Sequence, residues 1–205
     1  MNKRKIRDII RLTGAILFGV LYIPHLLVYT FTGKKLLINS DIMRLKKQVK
    51  INMPNWLTVL YFLHNNSYYR SVFYYRIGPI LSLVIGWWRP RNKYFIIPDS
   101  MTIGEGIKFS HPYATVLNAE RIGKNFSCIH CTTLGKKDEK RPIIGDNVAL
   151  GCNVTIIGGV HIGNNVIVGA GSVVVKDVPD NCVVAGNPAK IIKKIDSCLG
   201  DIGTK

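Results

Sequence analysis

From Ile144 onward an aliphatic residue returns at every sixth position, through Leu150, Ile156, Ile162, Val168 and Val174. Glycine follows in most of these hexads, at Gly145, Gly151, Gly163 and Gly169. A second aliphatic series runs four residues behind, through Val148, Val154, Val160, Val166 and Val178. A period of six fits neither the 3.6-residue turn of one helix nor the two-residue alternation of hairpins. It implies stacked units of one kind, each burying an apolar corner only against the coils above and below. The same phase occurs upstream at Ile103-Gly104, Phe109 and Thr115, then resumes after a one-residue slip at Ile122-Gly123, Cys128 and Leu134-Gly135. Residues 136–142 interrupt it with charged side chains. Such an insertion must loop out, because keeping it inside a coil would move every later corner off the core.

The amino-terminal half follows another pattern. Ser40 and Asp41 read as a cap before a helix over residues 42–50, Pro54 opens a helix through Leu63, and residues 68–77 make another short one. Pro79, Gly86, Pro90 and Pro98 then break the helical pattern, and the boundary falls near residues 91–94. Residues 15–31 are mostly apolar but fall short of the roughly 20 residues a spanning helix needs. Pro24 sits mid-run, where it would kink a helix, and beside it His25 is costly in a bilayer unless neutral and partnered. No small-residue cleavage site follows, so a removed signal peptide is not expected. Basic residues flank both ends, which leaves orientation unassigned. Two readings stand. The run lies as a helix or kinked hairpin in a leaflet, with Lys3, Arg4, Lys5, Arg7, Arg11, Lys34 and Lys35 near anionic head groups. Alternatively it packs on the chain's own helices or on a neighbouring subunit.

Charge sharpens this division. The net charge is +16, and residues 1–93 hold 16 Lys/Arg against 2 Asp/Glu, while residues 94–205 hold 12 against 10. The neighbours of the basic residues are apolar and aromatic, so peripheral membrane association is expected and nucleic acid is not. Arg70 and Arg76 interleave with Tyr68, Tyr69, Phe73, Tyr74 and Tyr75, a pattern that suits base stacking, interfacial anchoring or helix packing. Apolar residues at 47% and charged residues at 20% exclude extensive disorder. Five cysteines, Cys128, Cys131, Cys152, Cys182 and Cys198, are an odd number that favours a reducing compartment over a disulfide framework. Cys128-Ile129-His130-Cys131 has zinc-like spacing without a second pair, and no metal is expected. The predicted organisation is a basic helical region over 1–93, a β-helix over 94–195 and a tail over 196–205.

The hexads, together with the closing Val183-Val184-Ala185-Gly186-Asn187-Pro188-Ala189-Lys190-Ile191-Ile192, resemble the hexapeptide-repeat acyltransferases. The resemblance covers about residues 94–195. It implies a mainly β fold, a left-handed parallel β-helix, behind an α-helical amino-terminal region. Within that superfamily the chain is most similar to serine acetyltransferases, especially short members found with capsule and exopolysaccharide enzymes. That likeness rests on Ile97-Pro98, Ile103-Gly104-Glu105-Gly106-Ile107, His111, Thr132-Thr133-Leu134-Gly135 and the aromatic-Arg segment at 70–78.

The resemblance implies acetyl-CoA as acyl donor, a homotrimer with sites between subunits, and His111 as general base, a task neutral imidazole suits. His130 and Arg141 fall at acceptor-side positions. Gly151, Cys152, Gly169, Ala170 and Lys176 match the groove for acetyl-CoA, with Lys190 and Lys193 placed for nucleotide phosphates. His25, His64 and His161 carry no motif and read as structural. Two departures stand out: Ile96 occupies the place of an Asp that orients the base, with Asp99 nearby but off register, and Arg141 replaces a His that helps hold the substrate carboxylate. The expected activity is O-acetylation of a sugar hydroxyl in surface-polysaccharide assembly in the cytoplasm, at the membrane's cytoplasmic face. Serine O-acetylation and a non-catalytic tethered scaffold are the alternatives.

Overall fold

The computed structural model describes residues 3–49 and 52–195. Cys198 and the expected tail lie outside the described residues, as do the side chains of Lys3, Arg4 and Lys5. The chain divides into two compact units, Met1–Asp99 and Ser100–Lys205.

The first unit is built from α1 (Lys3–Leu17), a 3-10 turn (Gly19–Tyr22), α2 (Ile23–Phe31), α3 (Lys35–Val49), α4 (Asn55–Asn65), α5 (Ser67–Ile77) and α6 (Pro79–Ile85), followed by β1 (Phe95–Ile96). Its core includes Tyr22, Ile38, Ile42, Leu63, Tyr69, Phe73 and Tyr74. Asn66 starts α5 by accepting from the Tyr68 and Tyr69 amides at 3.0 Å, a side-chain N-cap.

Three expectations for this unit are corrected. Asp41 caps nothing: α3 already begins at Lys35, and Asp41 is buried inside it, accepting from Arg76 Nε at 2.9 Å and Nη2 at 3.2 Å. A local cap signal and a buried carboxylate look alike in sequence when the partner lies 35 positions away. Pro79 does not end helical structure but opens α6, where a missing amide hydrogen costs nothing. Pro24 does not make the kink. The chain turns 68° between Ile6–Leu17 and Gly19–Phe31, at the 3-10 turn, and Pro24 sits in the tolerated first turn of α2.

His25 is buried with a partner. Tyr74 Oη donates to the Arg89 carbonyl at 2.9 Å, so at the 2.9 Å contact with His25 it accepts, which assigns the ring hydrogen to Nε2. Burial, aided by the nearby Arg70 charge, lowers the His25 pKa from 6.5 to about 4. The unfolded chain therefore binds the extra proton between those values, and stability falls as pH drops from 6.5 towards 4. The loss should approach about 3 kcal/mol by the lower limit. Denaturant melts of the wild type and His25→Phe across that window check it; the variant should show a flatter profile.

The second unit is a parallel β-helix. Its coils run through β2 (Thr102–Ile103), β3 (Lys108–Phe109) and β4 (Thr115–Leu117); β5 (Arg121–Ile122), β6 (Ser127–Cys128) and β7 (Thr133–Gly135); β8 (Ile143–Ile144), β9 (Ala149–Leu150) and β10 (Thr155–Ile157); then β11 (His161–Ile162), β12 (Ile167–Val168) and β13 (Val173–Val174). Strands stack in three faces: β2-β5-β8-β11, β3-β6-β9-β12 and β4-β7-β10-β13. The hexad phase is the inward phase, since Ile144, Leu150, Ile156, Ile162, Val168 and Val174 are all buried, as are the five valines of the second series. β14 (Cys182–Gly186) continues the second face, and the chain then reverses into β15 (Ala189–Lys194), paired antiparallel to it.

Between the first and second faces the corners are too tight for side chains: a Cβ on Gly145 would lie 2.7 Å from the Gly163 carbonyl carbon. Asn125, Asn147, Asn165 and Asn181 hold positive φ of 55–58° at this edge. Their side-chain amides bond in sequence, each Nδ2 donating to the next Oδ1 at 3.0, 2.9 and 2.8 Å. The insertion does loop out: Lys137 and Lys140 exchange backbone hydrogen bonds at 3.0 Å, with Asp138 and Glu139 at its turn and Lys136 paired to Glu139.

The slip proves to be two changes of opposite sign. Register pairs Phe109 with Cys128 but Leu117, not Thr115, with Leu134. Two extra residues thus lie between Phe109 and Leu117, and the next corner is one residue shorter on the way to Ile122. Both Thr115 and Leu117 face inward, which hid the displacement from the periodicity.

Candidate functional site

The two extra residues fall at the corner between the second and third faces, and they carry His111. At this corner the register is fixed by backbone bonds from Cys131 N to Tyr113 O (2.8 Å), Asn153 N to His130 O (3.0 Å) and Gly171 N to Cys152 O (2.9 Å). Tyr113, His130, Cys152 and Ala170 are therefore equivalent positions in successive coils. His111 stands two residues before Tyr113, in the bulge. It has φ of 50°, and its carbonyl accepts from the Tyr113 amide at 2.6 Å in a tight three-residue turn. A non-glycine residue at such φ is held there by its surroundings and marks a place to seek function.

His111 and His130 are both exposed at this corner. Among the described residues no side chain is hydrogen-bonded to the His111 ring. Asp99 Oδ1 accepts from Arg91 Nη2 at 3.0 Å, which commits that carboxylate elsewhere. Below the histidines the column becomes small. Gly151 and Gly169 stack with Ala185: a Cβ on Gly151 would come within 2.6 Å of the Ala170 amide, and one on Gly169 within 2.8 Å of Ala185 Cβ. Cys152 and Ala170 lie next along the same edge. At its lower end the antiparallel strand places Lys190 opposite Ala185 and Lys193 opposite Val183. His111, His130, Gly151, Cys152, Gly169, Ala170, Lys190 and Lys193 are thus brought to one edge and end of the solenoid.

Arg141 and Lys176 are not. Arg141 follows the insertion at the corner between the third and first faces, where its Nη1 donates to Ser100 Oγ at 3.1 Å. Lys176 is exposed at that same corner after β13. Cys128, by contrast, points into the core, where burial pushes its thiol up to about 12, and it shares no ligand set with the exposed His130.

Sequence reasoning missed the groups that hold the histidine corner. Thr132 Oγ1 donates to Ile129 O at 3.1 Å, and the Thr132 amide reaches Thr115 Oγ1 at 3.4 Å. Lower down, Ser172 Oγ donates to Gly169 O at 2.6 Å and accepts from Gly186 N at 3.2 Å. All three hydroxyl residues are buried. Small hydroxyl residues on the inward side of a corner, where aliphatics are the rule, were the available signal. Tyr113 was also missed, although it is exposed beside His111 and level with His130.

Residues 141–176 match the family model Bacterial transferase hexapeptide (six repeats). The hexapeptide tract is thus similar to those of bacterial transferases. Over 105 residues, 49% of this chain, it is 43% identical to Serine acetyltransferase 2 of Arabidopsis thaliana, covering 32% of that protein. Over 99 residues, 46% of this chain, it is 42% identical to an Escherichia coli K12 protein named "Putative colanic acid biosynthesis acetyltransferase WcaB", covering 61% of it. The chain therefore spans less than two thirds of either relative. Serine acetyltransferase from Neisseria gonorrhoeae superposes with a TM-score of 0.59 at 28% identity, covering 78% of this chain and 66% of that one.

Proposed function

We propose that this chain is an O-acetyltransferase that takes its acyl group from acetyl-CoA and delivers it to a sugar hydroxyl in surface-polysaccharide assembly. The observation that carries the chemistry is an exposed histidine in a bulged corner, heading a column of small residues that ends at Lys190 and Lys193. The column lets a pantetheine arm run against backbone, and the two lysines suit nucleotide phosphates. His111 takes the acceptor hydroxyl's proton as the oxygen attacks the thioester carbonyl. The carbon–sulfur bond breaks, and the imidazolium returns the proton to the departing thiolate, giving ester and free CoA. In a homotrimer, Arg141 and Lys176 of one chain would complete the site headed by His111 of the next, since within one chain they lie at another corner. The setting is the cytoplasm, which suits the free thiols.

The acceptor assignment rests on Ile96 standing where the resemblance implies an orienting Asp, on Arg141 in place of a carboxylate-binding His, and on the colanic acid relative. Serine as acceptor is favoured by the names of the Arabidopsis and Neisseria proteins. Thiol release from acetyl-CoA, followed with L-serine and with saccharides as acceptors, decides between them. Saccharide turnover with little serine turnover is expected; robust serine turnover reverses the order. No turnover, with no CoA binding by calorimetry, would leave a non-catalytic scaffold.

A further inference from the structure

The helical unit wears its apolar side outward. On α1, Ile9 and Ile10 follow Ile6 by three and four residues, Ile16 and Leu17 repeat that pair seven residues later, and all five are exposed, Leu17 at 73%, whereas the small Ala15 is buried. A helix packed on a core normally turns that stripe inward. Beyond α1 the exposed apolar surface continues through Phe18, Val20, Leu21, Ile23, Leu27 and Phe31, the last 82% exposed. It is joined by α6, where Ile80, Leu81, Leu83 and Val84 are exposed, with Trp87 beyond at 80%. The Trp88 ring packs against Tyr22, tilted by 58° at a centroid distance of 4.9 Å, which seats Trp87 beside the 3-10 turn. Apolar patches of this extent mark docking surfaces.

We infer that this face lies in the surface of an anionic bilayer, with α1 parallel to the membrane plane. Charge selects the occupant. Arg7, Arg11, Lys34, Lys35 and Lys93 are exposed on this unit. Asp41 is buried on Arg76 and Asp99 is engaged by Arg91, which leaves Asp8. Acidic head groups complement this excess of exposed cations, whereas a second copy of the same unit would set cations against cations. Length selects the orientation: 15 residues of α1 reach about 22 Å, short of the roughly 30 Å hydrocarbon core. No single described helix is long and apolar enough to cross; only the pair bent by 68° meets that test. The inference stands on the helical unit alone and does not depend on acyl transfer.

Flotation of the full-length protein with phosphatidylcholine vesicles, with and without phosphatidylglycerol, tests it. Binding to the phosphatidylglycerol vesicles is expected, weakened by salt, and lowered about tenfold or more by Leu17→Glu or Ile10→Glu, which change exposed positions two turns apart on one side of α1. Brominated lipid should quench wild-type tryptophan emission, and Trp87→Phe should remove most of that quenching, a readout that survives if a glutamate variant folds poorly. Absence of flotation with acidic vesicles, or flotation indifferent to both substitutions, overturns the inference. So does a wild-type oligomer that shrinks with Leu17→Glu, since a second copy would then cover the face.

Discussion

His111→Ala is expected to lower kcat for acetyl transfer about 10²–10⁴-fold, the range for loss of a positioned general base. The KM for acetyl-CoA should change little, because the column from Gly151 to Lys190 lies below the bulge. Alanine has a second effect, since residue 111 holds φ of 50°, a backbone region in which His, Asn and Asp are enriched and alanine is not. His111→Asn separates the two. Asparagine tolerates this backbone, as the corner ladder from Asn125 to Asn181 shows, so the corner should keep its shape while the base is lost. Steady-state kinetics should give both variants similar losses. Full activity in His111→Asn with low activity in His111→Ala would mean that the corner's shape matters and the imidazole does not.

Asp41→Ala should destabilise the helical unit by about 3–5 kcal/mol, because it leaves the Arg76 guanidinium buried without its carboxylate. Both side chains are nearly inaccessible and their contacts are two-point, at 2.9 and 3.2 Å, so water cannot replace the lost partner in place. A loss of that size is a large share of the 5–15 kcal/mol typical of whole domains. Replacing both residues at once, with Asp41→Leu and Arg76→Met, should recover most of it, since the cost comes from orphaning a charge more than from deleting a pair. Chemical denaturation of the two variants beside the wild type checks this. A double variant no better than Asp41→Ala would place the stabilisation in the ion pair itself.

The β-helix was legible because its rule is local: every sixth residue faces inward, so Ile144 and its successors report the fold one by one. The insertion was legible for the same reason. The bulge was not, because Thr115 and Leu117 are both buried and the periodicity accepts either. That ambiguity matters, as the bulge is where His111 sits. In the helical half the legible features were again local, such as the start of α4 at Pro54. Asp41 and Arg76 were unreadable because their meaning depends on each other across α3 and α5. His25 read correctly as structural, but its partner Tyr74 and the outward stripe of α1 required the packing to be seen. At the site, the residues stacked by register were legible as a set. The separation of Arg141 and Lys176 from His111 was not, since a solenoid sends its corners in different directions and a linear motif does not record which.

The reversal of β14 into β15 has a consequence for solubility. A parallel solenoid ends in a row of unpaired amides and carbonyls, a template on which another extended segment can grow. Among the described residues β15 forms that outermost edge on the second face, and it carries Lys190, Lys193 and Lys194 around the exposed Ile191 and Ile192. Lysines on an edge strand repel an incoming strand of like charge, so the residues proposed above for phosphate recognition also suit a second part, as gatekeepers against end-to-end fibre growth.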